Sequence, residues 1–179
     1  MDNGSLATLK AAYDHDLENH WRSKEELDKK YQWVLERAEQ YARKCNTTKE
    51  AVIAAWETKR DYWWLNFYQE SEQPALDGKT NVMTMNEWQQ EATRRFGPDK
   101  LDWKFKCPAC GHIQSPRDFK DGGQEPERAA TCCASRFGLG GSKTCKWTTG
   151  GFLKFNATYV IDDEFCPHLV FDFADAETK

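Results

Sequence analysis

Long apolar runs are absent from this chain. Nothing in its 179 residues approaches the stretch of about eighteen that a membrane-spanning helix needs, and the opening MDNGSLATLK has no apolar core of the kind that marks a secretion signal. The expected location is the cytoplasm. Also missing are an H-E-x-x-H pair, a nucleophile elbow, a Walker phosphate loop and the H-x-E signature of zinc deaminases. With those local footprints of catalysis gone, the expectation is a non-enzymatic protein. No internal repeat or low-complexity tract argues for a solenoid or an array. A basic excess is missing as well: the formal net charge is −4, a poor match to proteins whose affinity comes from neutralising phosphates.

What the chain does hold is apolar and aromatic material, 39% and 13% of residues, enough for one domain or two small ones with real cores. It also holds seven cysteines. An odd number in a reducing compartment reads as metal ligands or buried thiols rather than disulfides. Charge is uneven along the chain. Residues 1–82 carry 12 Lys and Arg against 15 Asp and Glu, residues 83–149 carry 11 against 8, and residues 150–179 carry 2 against 6. A four-thiolate zinc site would add about −2 to the middle block and bring it close to neutrality.

Periodicity divides the chain into an N-terminal helical hairpin over residues 1–70, a linker at 71–82, and a compact domain over 83–179. In the first part Leu6, Tyr13, Leu27, Val34 and Tyr41 fall on one heptad stripe, with Leu17, Tyr31, Ala38 and Cys45 beside it. Ser23-Lys24-Glu25-Glu26 matches a capping box and places a break near Arg22. Thr47-Thr48-Lys49-Glu50 opens the second arm, on which Val52, Trp56, Trp63 and Phe67 recur at helical spacing. The set Trp56, Tyr62, Trp63, Trp64, Phe67 and Tyr68 exceeds what a two-helix pair buries on one face. It packs on the other domain, on a second copy of the chain in a homodimer, or forms a patch for a protein partner.

Pro74 and Gly78 mark the linker. Thr84-Met85-Asn86-Glu87 is a third capping box, opening a helix that carries Trp88, Ala92 and Phe96 and stops at Gly97-Pro98. Trp103 and Phe105 then alternate as a strand would. Short helices are expected from Pro116 and over Pro126 to Arg136. Strands are expected at Phe152–Phe155, Thr158–Ile161 and Leu169–Phe173. Asp162-Asp163-Glu164 reads as a solvated turn, Gly138 to Lys143 as a flexible spacer, Cys45 as a small core residue, and Asp172 to Lys179 as a frayed acidic tail. The architecture is α+β.

The sharpest local signal is Cys107-Pro108-Ala109-Cys110-Gly111-His112. Two residues between the cysteines let both sulfurs face one centre while turn amides donate to them, which is half of a tetrahedral zinc site. Two further ligands come from Cys132, Cys133, Cys145, Cys166, His112 or His168. His112 follows the turn too closely to share its ion easily. Cys145, after a glycine-rich loop, is stronger. Cys132 and Cys133 are adjacent and project differently, and the spacing alone does not separate them.

From Met83 to Ala174 the chain carries a W-K-F-K-C-P-A-C-G-H-I-Q turn, C-A-S-R, C-K-W, G-G-F-L-K-F-N and a terminal V-F-D-F-A. With these motifs it resembles a family of small zinc-ribbon-like proteins of phages and prophages that has no established activity. The resemblance implies the ligand set Cys107, Cys110, Cys133 and Cys145 around one structural Zn(2+). It also implies that the helical region is an addition to the core module, and that a phage-encoded protein would act in the host cytoplasm. A small acidic phage protein without catalytic motifs is expected to engage a host protein complex, such as a CRISPR or other defence complex, or the transcription machinery. The alternative is nucleic-acid binding through Lys104, Lys106, Arg117, Lys120, Arg136, Lys143 and Lys146 with Trp103 and Trp147 as stacking surfaces. Asp99, Asp102, Asp118 and Asp121 interleave with those cations and weaken it.

Overall fold

A computed structural model describes residues 4–19, 22–57, 80–141, 144–149 and 158–175. The chain forms two compact units. One contains the described parts of Met1–Asp77 together with Ile161–Pro167, and the other those of Gly78–Val160 and His168–Lys179. The architecture is mixed α+β: N-terminal helices and a small domain with short antiparallel strands.

The helical unit contains α1 (Gly4–Glu18), α2 (Lys24–Lys44) and α3 (Lys49–Glu57), besides the Ile161–Pro167 segment. The break near Arg22 is real. Ser23 is the N-cap of α2, where its hydroxyl accepts the Glu26 amide N–H and the Glu26 carboxylate accepts the Ser23 amide. The next start lies one residue later than the motif suggests. Thr48, not Thr47, is the cap, accepting from the Ala51 amide at 3.2 Å, so Glu50 does not complete a box there. Asn46 makes the turn between α2 and α3 in the left-handed region at φ 53°, which asparagine tolerates.

On α2 the stripe Leu27, Val34, Ala38 and Tyr41 is buried as the heptad predicts. On α1 the buried face is Leu9, Tyr13 and Asp16, turned from the Leu6 and Leu17 positions, which are half-buried. Cys45 is half-buried at the C-cap of α2 rather than in the core. Val52, Ile53 and Trp56 of α3 complete the packing, with the Trp56 ring edge-on to Tyr41.

In the second unit β1 (Val82–Thr84) runs into α4 (Met85–Phe96), capped by a reciprocal Thr84–Glu87 box and ended by Gly97 at φ 89°. A 3-10 turn at Lys100–Asp102 precedes β2 (Phe105–Lys106), which pairs antiparallel with β3 (Ile113–Gln114). Then come α5 (Pro116–Asp121) and 3-10 turns at Pro126–Ala130 and Ala134–Phe137. The single helix expected over Pro126 to Arg136 is thus two turns with Cys132 and Cys133 between them. Strand β4 (Thr158–Ile161) coincides with its expected span, and β5 (Pro167–Val170) begins two residues earlier than expected. The sheet order is β1-β4-β5. The expected strand at 152–155 lies outside the described residues.

Asp162 makes the turn after β4 by accepting the amides of Glu164 and Cys166 on one carboxylate oxygen, both at 2.9 Å. The C-terminal segment is no frayed tail as far as Ala174. Phe173 bridges Phe105, Ala174 donates to the Lys104 carbonyl at 2.9 Å, and Ala174 is fully buried. Phe171 and Phe173 are the reason, because leaving two phenylalanines in water would forfeit several kcal/mol at about 1.5–3 kcal/mol per buried large apolar side chain. The core of this unit joins Ala92, Trp103, Phe105, Phe119, Ala129, Ala134 and Phe171, and it includes Cys107 and Cys133.

Candidate metal centre

The turn from Cys107 to His112 is closed at both ends. Gly111 donates its amide to the Cys107 carbonyl and Cys107 donates to the His112 carbonyl, each at 2.8 Å. Gly111 sits at φ 73°, a region a side chain would strain. The Cys107 sulfur accepts amide N–H groups from Cys110 and Ala109, and the Cys110 sulfur accepts one from His112. Amides aimed at sulfur stabilise thiolate, the form a metal ligand takes.

The other two ligands arrive on segments that hold each other. Cys133 donates to the Trp147 carbonyl and Thr149 to the Thr131 carbonyl, both at 2.9 Å, with Cys132 and Thr148 forming an antiparallel bridge between them. Arg136 adds a guanidinium bond to the Lys146 carbonyl at 3.1 Å. The Cys145 sulfur accepts the Trp147 amide, a smaller version of the first turn.

Gln114 fixes the level at which Cys133 enters. Its side chain is buried, donates to the carbonyls of Ala129 and Cys132, and accepts the Ala134 amide, all at 2.6 Å. One amide therefore satisfies three backbone groups around Cys133. In the sequence Gln114 stands out only as the last residue of the W-K-F-K-C-P-A-C-G-H-I-Q motif, which does not show what its side chain bonds.

The result is convergence of Cys107, Cys110, Cys133 and Cys145, whose sulfurs all lie within 4.8 Å of one another. The Cys107 and Cys145 sulfurs are 3.9 Å apart and those of Cys110 and Cys133 3.8 Å. A tetrahedral ion with metal–sulfur bonds of about 2.3 Å requires sulfurs about 3.8 Å apart. The four cysteines are positioned to bind one metal ion, of the kind that tetrahedral sulfur sets take. Among the described residues no other group of three or more His, Cys, Asp or Glu side chains converges in this way.

With no cation beside them, the four sulfurs are not all held as thiolates. Burial pushes the Cys107 thiol up to about 12 and also raises Cys145. For Cys110 burial acts upward too, but the His112 amide and the neighbouring thiols outweigh it and hold that group below its ordinary value. Four thiolates this close are mutually repulsive without a cation, and a divalent ion removes the repulsion.

The remaining candidates fall elsewhere. Consecutive residues at an extended bridge point to opposite sides, so the Cys132 thiol turns away to the Thr148 hydroxyl at 3.5 Å while Cys133 faces inward. Cys166, in the helical unit, has its thiol on the Glu164 carbonyl at 3.6 Å. His112 is not a ligand; it lies under the glycine-rich loop. A Cβ on Gly141, at φ 75°, would come within 2.3 Å of the Ser135 hydroxyl and 2.8 Å of the His112 ring, and Ser135 donates to the Gly140 carbonyl at 2.7 Å. Gly140 and Gly141 are therefore a strap fitted over His112 and Ser135, while Ser142 and Lys143 of the expected spacer lie outside the described residues.

The proposed partner patch is also changed. Trp56 is fully buried, and its indole N–H donates to the Phe165 carbonyl at 2.9 Å, so it offers no surface to a partner. Tyr62, Trp63, Trp64, Phe67 and Tyr68 lie outside the described residues.

No helix among the described residues is long and apolar enough to cross a membrane. No curated protein and no solved structure gives a match. A family model described as VVA0879-like matches residues 84–174, the stretch that holds α4, all four converging cysteines and the C-terminal pairing segment. That match covers just over half of the 179 residues, and the chain belongs to the VVA0879-like family.

Proposed function

We propose that the ion is a structural Zn(2+) and that the protein is a non-enzymatic binding protein whose second unit is folded around it. The observation that carries this reading is the sulfur tetrahedron of the right size, supplied entirely by the chain. Four cysteine ligands fill the coordination sphere of zinc and leave no position for water or substrate, the opposite of a catalytic site. Cys107 and Cys133 belong to the hydrophobic core, so the ion would stand in for core that a small unit lacks. Structural zinc contributes on the order of 10 kcal/mol in small modules.

A protein partner fits better than a nucleic acid. Four arginines of this unit are held in ion pairs: Arg94 and Arg95 with Glu91, Arg117 with Asp99 and Asp102, Arg128 with Glu125. Exposed Lys106, Arg136 and Lys146 flank the cysteines, where the charge of about −2 on a four-thiolate zinc offsets most of theirs. The resemblance to phage and prophage proteins supports a host complex as the partner, of the defence, CRISPR or transcription kind.

Elemental analysis of protein purified without added metal tests the first part, with one zinc per chain expected and stoichiometric iron or no metal refuting it. A salt titration against mixed-sequence DNA and RNA tests the second. Tight binding that falls steeply with salt would overturn the protein-partner reading.

A further inference from the structure

We infer that Cys110 is an oxidative modification site through which a peroxide opens the metal centre, an inference that rests on the zinc reading above. The four ligands differ sharply in access. Cys107 and Cys133 are buried at 0% exposure, Cys145 is half-buried, and Cys110 is exposed. Zinc holds all four as thiolates, so all four are in the nucleophilic form, and access to solutes decides which reacts first. The Cys107 sulfur is further shielded by two backbone N–H groups, whereas the Cys110 and Cys145 sulfurs accept one each, so between those two it is exposure that singles out Cys110.

The chemistry needs a second thiolate within reach, and Cys133 supplies it at 3.8 Å. The Cys110 thiolate attacks one oxygen of hydrogen peroxide. An S–O bond forms, the O–O bond breaks, hydroxide leaves, and Cys110 becomes a sulfenic acid. The Cys133 thiolate then attacks that sulfur, forming an S–S bond and expelling a second hydroxide. Two thiolates have given up two electrons and one peroxide has taken them. The ion keeps its oxidation state and loses two of its four ligands. Closing the sulfurs from 3.8 Å to a bond of about 2.0 Å is incompatible with both still gripping one ion. Because Cys133 is also a core residue, loss of the metal takes the fold of the second unit with it. A dithiol with added zinc reverses the change.

Cys132 is next to Cys133 and would blur the mapping, so the experiment uses the full chain carrying Cys132→Ser, loaded with zinc and verified by elemental analysis. Hydrogen peroxide is added, released zinc is read with a chromogenic chelator, and modified cysteines are located by alkylation and mass spectrometry. One zinc released for every two ligand thiols lost is expected, with a Cys110–Cys133 link in the digest and recovery by dithiothreitol plus zinc. Zinc retained while Cys45 and Cys166 are oxidised overturns the inference alone, as does release with Cys110 still free. Protein that never carries stoichiometric zinc overturns the metal reading and the inference with it.

Discussion

Replacing Gln114 by Leu should damage the metal centre as much as any change that leaves the ligands intact. The substitution removes three bonds of 2.6 Å and strands the Ala134 amide and the carbonyls of Ala129 and Cys132 in a buried place. Each stranded group costs about 1–3 kcal/mol, and because neighbouring losses are not additive the lower end is the safer sum, about 3 kcal/mol. Small domains are stable by about 5–15 kcal/mol, so the second unit should still fold when loaded, with a clearly lowered urea midpoint. Metal binding and folding are coupled in such modules, and about 3 kcal/mol should reappear as roughly a hundredfold loss of zinc affinity in competition with a chelator. Gln114→Glu keeps the shape but sets carboxylate oxygens against two carbonyls, and it should be no better. A loss under about 1 kcal/mol with unchanged zinc affinity would refute the claim that this amide sets the position of Cys133.

Cys107→Ser or Cys110→Ser should abolish stoichiometric metal and unfold the second unit while the circular-dichroism signal of α1 to α3 persists; Cys132→Ser should keep both metal and melting temperature. Gly141→Ala should destabilise more than Gly138→Ala in thermal melts. Both residues have positive φ, 75° and 74°, but only at Gly141 would the new methyl strike Ser135 and His112, whereas at Gly138 it meets nothing within 4 Å. The Gly138 change should then cost only the left-handed strain of about 1–2 kcal/mol. Glu57, half-buried with one carboxylate oxygen that meets no hydrogen-bond partner among the described residues, is raised by burial to about 7. Its folded form holds a proton more tightly than its unfolded form, so its contribution is full below the ordinary value of 4.5 and is lost as pH rises through about 7. Denaturation of the helical unit across that window should show the loss, and Glu57→Gln should flatten it.

Much of the local structure was legible because it depends on neighbours in sequence. Ser23 with Glu26, and Thr84 with Glu87, cap helices within a single turn, and the C-x2-C turn brings its own amides to its own sulfurs. The slip from Thr47 to Thr48 has the same origin: two threonines side by side offer two registers, and only the packing of Val52, Ile53 and Trp56 selects one.

What the chain order alone determined about this protein is therefore its α+β character, the starts of α2 and α4 and the first pair of ligands, all set by interactions spanning a few residues. The tertiary structure decided the rest. It turned Cys133 inward and Cys132 outward, made Gln114 the clamp between them, laid the glycine strap on His112, buried Trp56 and drew the Phe171 to Ala174 segment onto Lys104 and Phe105. Each of these is a contact between residues far apart in sequence, and their energies exist only once the intervening chain has already been folded back.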